Sequence, residues 1–192
     1  WDFETFPEYL NFLEKRGVGP NVATYIGHSS VRVYAMGEEA SKRSANNKEI
    51  DHMESIVRDS MFSGAIGFAT STFEGHNGEN GIPMPSRLAE SSEMISLINS
   101  MASSGRGIFM LTKGSDTSIN KIKEWMAGTG RPSAVAALFH NPTAPSLADK
   151  QVESINKATE EGIEMWGQVS CRPLTMEFSM KSPYPFEGFS AW

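Results

Sequence analysis

Short apolar runs alternate with longer stretches of helical spacing along the chain. The runs cover 21–26, 65–70, 107–111, 134–139 and 163–169. Each is apolar almost throughout, with little strict in-and-out alternation, the pattern of strands in a parallel sheet covered by helices. Between the runs, apolar residues return every three or four positions: Tyr9, Leu10 and Leu13; Ile50, Met53, Val57 and Met61; Met94, Leu97, Ile98 and Met101; Ile119, Ile122 and Met126; Val152 and Ile155. This spacing predicts helices. Thr5 with Glu8 and Asn46 with Glu49 have capping-box spacing, and Pro7 falls in a first turn. Ser115 or Asp116 is expected to cap the helix of Ile119, and Ser146 with Asp149 the helix of Val152. Gly64, Gly105 and Gly162 stand where helices should end. Residues 35–46 and 75–85 are polar and rich in Gly or Pro, so both are expected to be loops.

Strand followed by helix, five times over, predicts an α/β fold. Both a (β/α) barrel and a doubly wound sheet fit that order. No Gly-x-Gly-x-x-Gly follows a strand and no Walker motif occurs, which weighs against nucleotide folds. Several runs end at or just before a polar or ionisable residue, and a barrel builds its site by gathering one residue from each strand end on one face. The expectation is therefore a partial (β/α)8 barrel of roughly five strand–helix units. A complete barrel needs about 250 residues, against 192 in this chain. The chain also starts at Trp1 and stops at Trp192. Residues 1–192 are expected to form the central part of one barrel domain, with its N- and C-terminal portions elsewhere.

Composition narrows the partners. A formal net charge of −6 disfavours nucleic acid and anionic membrane surfaces. The apolar runs are too short to span a bilayer. Cys171 is alone, so no disulfide framework is expected, which suits a reducing cytoplasm.

The candidate chemistry lies at the strand ends. His140 closes the fourth run and either binds a metal, shuttles a proton or is simply hydrogen-bonded there. His28 follows Gly27 and is either a site residue or a packed core histidine. His76 lies in the Gly-rich loop after the second run, as a substrate contact or a solvated side chain. His52 belongs to a helix and is expected to be structural or exposed. Lys113 at the end of the third run either holds an anion as a point charge, bridges metals after carboxylation, or is a surface lysine. Arg87 and Arg172 have the planar fork that clamps a carboxylate, and each also suits a structural ion pair. No His-x-His, His-Glu-x-x-His, Cys-x-x-Cys or Gly-x-Ser-x-Gly motif is present.

Thr5-Phe6-Pro7-Glu8-Tyr9-Leu10, Asn21-Val22-Ala23, Gly27-His28 with Arg32, Met36-Gly37 and Gly64-Ala65-Ile66-Gly67-Phe68 resemble, in order and spacing, the D-aminoacylase (N-acyl-D-amino-acid deacylase) branch of the amidohydrolase superfamily. His76-Asn77, Pro83-Met84-Pro85-Ser86-Arg87 and Gln168-Val169 with Arg172-Pro173 resemble a subgroup of that branch. The resemblance implies a metal-dependent barrel that hydrolyses a non-peptide C–N bond of a small-molecule amide, such as an N-acyl amino acid, by a metal-activated water. It implies one or two zinc ions as cofactor. His140 matches the family's sixth-strand histidine ligand. The fifth-strand ligand is a histidine in the family, whereas this chain has Phe109-Met110-Leu111-Thr112-Lys113-Gly114. The family's first-strand His-x-His and last-strand Asp match nothing here. The resulting expectation makes His140 and Lys113 metal ligands, Lys113 also catalytic, and His28, His76, Arg87 and Arg172 substrate-binding. Two rivals stand beside it: a metal-free barrel serving as a binding or scaffold protein, and a metal-independent enzyme using Lys113 as an amine nucleophile.

Overall fold

The structure is a computed structural model, and it describes residues 2–142, 144–173, 175 and 177–181. Its five strands are β1 (Ile26–Gly27), β2 (Gly67–Ser71), β3 (Ile108–Thr112), β4 (Ser133–Ala136) and β5 (Met165–Gly167). They form one sheet in the order β1-β2-β3-β4-β5, and every neighbouring pair is parallel. The helices are α1 (Phe6–Arg16), α2 (His28–Met36), α3 (Asn47–Ser63), α4 (Ser91–Ala102), α5 (Ile119–Met126) and α6 (Leu147–Glu160). A doubly wound sheet reverses its strand order at a switch point. This one never reverses. Right-handed crossovers taken always in the same direction put the helices on one face, which is the winding of a (β/α) barrel.

The two faces of the sheet differ accordingly. Ile26, Phe68, Phe109, Ser133 and Met165 are register partners across all five strands, and all are buried. They face the helices, where Met53, Val57 and Met61 of α3, Leu97, Ile98 and Met101 of α4 and Ile122 of α5 complete the core. The adjacent row is Gly27, Ala69, Met110, Ala134 and Trp166. It lies on the opposite, concave face, where Trp166 is 60% exposed. Large Met110 and Trp166 alternate there with small neighbours, as in a layer of barrel interior.

The expected capping boxes form at Thr5 and Asn46 with both reciprocal bonds. Several details differ from expectation. Residues 21–25 are not a strand. β1 is an edge strand of two residues, and beyond it only the Ile66 amide, donating to the Thr24 carbonyl, continues the pairing. The cap of α5 is Ser118, whose hydroxyl accepts from the Lys121 amide. Ser115 is drawn off instead, donating through its amide and hydroxyl to Glu74. Ser146 does precede α6, but its side chain makes no capping bond. Helix α2 was not foreseen. Its buried face holds His28 and Arg32 beside Val31 and Met36, so two ionisable residues interrupt the apolar period. Among the described residues, no helix is long and apolar enough to cross a membrane.

Candidate functional site

Because the strands are parallel, the segments after β2, β3 and β4 all leave from the same sheet edge. The Lys113 amide donates to the Ala136 carbonyl (2.9 Å) and the Leu138 amide to the Gln168 carbonyl (2.8 Å), tying these ends together. At this edge Ser71, Thr112 and Ala136 are register partners. They lie two positions along each strand from the concave row and so share its face.

The β2 loop is the most organised part of this edge. Ser71, the last residue of β2, places its Oγ 2.6 Å from His76 Nδ1. The same Oγ accepts from the Phe73 amide (3.2 Å), and the Ser71 carbonyl accepts from the Ser86 hydroxyl (2.9 Å). Beyond His76 the chain folds back: the Gly78 amide donates to the Ile82 carbonyl and the Met84 amide to the His76 carbonyl. Arg87 then donates to the His76 carbonyl (3.3 Å) and to Asn77 Oδ1. Phe73 stands edge-on to the imidazole with centroids 5.3 Å apart. Partial burial, followed by the positive charge of Arg87, holds the His76 pKa below its ordinary value. His76 is thus a neutral ring at neutral pH, fixed through one nitrogen.

His28 occupies a different place. It is 1% exposed and lies on the helix side of the sheet. Its Nδ1 pairs with Thr70 Oγ1 (2.7 Å) and its Nε2 with Glu93 Oε1 (2.7 Å). Glu93 also receives Arg32, which in addition donates to the carbonyls of Ala40 (3.3 Å) and Arg43 (2.8 Å). Burial pushes the His28 pKa down against the opposing pull of Glu93. Burial works against the Glu93 carboxylate too, but His28 and Arg32 together hold its pKa below the usual range. The state that fits is a neutral His28 donating to an ionised Glu93 that is balanced by Arg32. With both nitrogens taken and no accessible surface, His28 is a packing residue in this structure, not a wall of an open pocket. Nothing in the sequence singled out Glu93 as its partner.

The other candidates are more open. Lys113 is half-buried and its Nζ donates to the Gly114 carbonyl (3.1 Å). β4 ends at Ala136, so His140 lies past the strand, and it is exposed. Arg172 is exposed and its amide donates to Ser170 Oγ (3.4 Å). His52 is exposed, beside the Tyr34 ring at 6.1 Å. Among the described residues, no hydrogen bond joins any two of His76, Lys113, His140 and Arg172. Nor does any group of three or more His, Cys, Asp or Glu side chains come together there to hold a metal. Zinc takes at least three protein ligands, so the described residues do not by themselves fit a zinc ion. A cavity of about 520 Å³ lies between α1, α2 and α3 beside β1, lined partly by Tyr9, Tyr25, Tyr34 and Ile56. None of the candidate residues that leave the strand ends lines it.

No family model matches the chain. It is similar to the D-aminoacylase of Alcaligenes xylosoxydans xylosoxydans, 37% identical over 71 residues, which are 37% of this chain and 14% of that enzyme. It is similar also to the N-acyl-D-glutamate deacylase of the same organism, 37% identical over 68 residues, 35% of this chain and 14% of the enzyme. In three dimensions it resembles a crystal structure of D-aminoacylase described as defining a novel subset of amidohydrolases, with a TM-score of 0.72 at 20% identity. That likeness covers 90% of this chain and 34% of the other. The N-acyl-D-glutamate deacylase of Bordetella bronchiseptica, complexed with zinc and a phosphonate mimic of the tetrahedral intermediate, gives a TM-score of 0.73 at 21% identity, over 89% and 35% of the two chains. The chain therefore spans about a third of the solved relatives, and the fold they share is the partial barrel described above.

Proposed function

We propose that the full-length protein hydrolyses the amide bond of N-acyl-D-amino acids, and that residues 1–192 supply the central strands of its barrel. The carrying observation is that both relatives similar in sequence are named as enzymes that remove an acyl group from a D-amino acid. The sequential parallel sheet supports it, since such a sheet brings strand-end side chains to one edge. The substrate is a small-molecule amide, and a reducing cytoplasm is the compartment that a lone Cys171 suits best.

Zinc binding by the full-length protein belongs to the same proposal. The solved relatives include one complexed with zinc and a D-aminoacylase described by its binuclear metal centre. His140 is the ligand this chain would contribute. It lies beyond β4 with its ring exposed, and the remaining ligands would come from outside the described residues. Lys113, Arg87 and Arg172 are proposed to meet the substrate's carboxylate or carbonyl as cationic donors. Lys113 leaves the same edge, where its amide donates to the Ala136 carbonyl at the end of β4.

The test is the metal content of the purified full-length protein by plasma mass spectrometry, repeated for His140→Ala. One or two equivalents of zinc, reduced in the variant, are expected. No zinc after incubation with the ion would contradict the metal part, and equal zinc in both proteins would remove His140 from the ligand set.

A further inference from the structure

His76 and His28 differ in one respect that bears on use. Both nitrogens of His28 are bonded to protein. His76 is bonded through Nδ1 alone, and its Nε2 has no hydrogen-bond partner among the described residues. A histidine held by one nitrogen and open at the other is oriented to act on something outside the protein framework. The holding group is well defined. Ser71 Oγ accepts a hydrogen bond from the Phe73 amide, and its own O–H can donate one to Nδ1. A neutral ring that accepts at Nδ1 carries its proton on Nε2. The backbone of His76 is also fixed, by the Met84 amide and by Arg87. Ser71 lies on the concave face, register partner of Thr112, at the edge where barrel sites are built.

We infer that Ser71 is the positioning residue for His76, and that His76 Nε2–H donates a hydrogen bond to the carboxylate of the bound ligand. Arg87 sets the sign of the ligand: its guanidinium holds the loop through Asn77 and brings positive charge beside the imidazole. Of the loop's carboxylates, Glu74 is engaged by the Ser115 amide and hydroxyl and Glu79 is exposed to solvent. The inference takes only the ligand, an N-acyl-D-amino acid, from the deacylase reading.

The test uses the full-length protein and two probes that resist amide hydrolysis, N-methylsulfonyl-D-alanine and its primary carboxamide, which differ in the carboxylate. Calorimetry reads their binding without turnover. The wild type is expected to prefer the carboxylate, and His76→Ala to lose about ten- to a hundredfold of that preference, the usual worth of a hydrogen bond to a charged group. His76→Gln, which keeps an N–H donor, should recover part of it. Ser71→Ala should lose an intermediate amount and Ser71→Thr should restore it. The double variant Ser71→Ala/His76→Ala should bind no worse than His76→Ala alone, because a positioning residue has nothing left to position. Unchanged preference in His76→Ala, additive losses in the double variant, or no binding of the carboxylate by the wild type would each overturn the inference. Hydrolysis of N-acyl-D-amino acids is measured separately. Turnover with an unchanged preference in His76→Ala would keep the function and remove this role. A lost preference without turnover would do the reverse.

Discussion

Two histidines, one directly after β1 and one in the loop beyond β2, have opposite surroundings. His28 is sealed against Thr70 and Glu93, whereas half-buried His76 is bonded through Nδ1 alone among the described residues. The His28–Glu93–Arg32 cluster carries two predictions. Glu93→Ala would leave Arg32 buried without its counter-charge, so the full-length protein should lose about 3–5 kcal/mol of stability. Urea unfolding measures this, and a loss below about 1 kcal/mol would contradict the charge assignment. The second concerns pH. The folded pKa of His28 lies below its ordinary value of 6.5, so below that pH the unfolded state binds more protons than the folded one, and stability falls as the medium is acidified. Its contribution is complete above about pH 6.5 and is lost as pH drops toward the depressed folded value. Glu93, also lowered from 4.5, adds a loss of the same sign below about pH 4.5. Stability that rises between pH 7 and pH 5 would show that His28 is charged in the fold.

Strand β2 depends on close approach to β3. A Cβ at Gly67 would lie 2.0 Å from the Ile108 carbonyl oxygen, and backbone in a paired strand cannot move aside. Gly67→Ala should therefore destabilise the protein by about 1–3 kcal/mol or more. A Cβ at Gly19 meets nothing within 4 Å, so Gly19→Ala should stay within about 0.5 kcal/mol. Thermal melts of the two variants compare them directly, and equal midpoints would contradict the pairing register. The elements most legible in the sequence were helices with apolar faces, α1, α3 and α4, the first two also with reciprocal caps, and the central strands flanked by glycine. Helix α2 escaped because His28 and Arg32 occupy its buried face. The α5 cap escaped because Ser115 is bonded to Glu74, a partner 41 residues away. That the segments after the strands leave one edge was legible, since the strands are parallel. Which histidine was sealed and which was open was not legible, because Glu93, 65 residues from His28, decides it.

The sheet as a whole is open. Among the described residues β1 and β5 are unpaired on their outer sides, and the concave row shows Trp166 at 60% exposure, with Phe139 at 46% just past β4. Open edges and bare apolar surface favour association. The 192-residue chain by itself should self-associate or melt without a sharp transition, whereas the full-length protein should not. Sedimentation and a thermal melt decide this, and a monomeric, reversible two-state melt of the isolated chain would contradict the partial-barrel account. The direct test of the proposed activity is release of free amino acid from N-acetyl-D-amino acids by zinc-replete, folded full-length protein, compared with their L enantiomers. Preferential hydrolysis of the D series is the predicted result. No release from either series would contradict the deacylase reading.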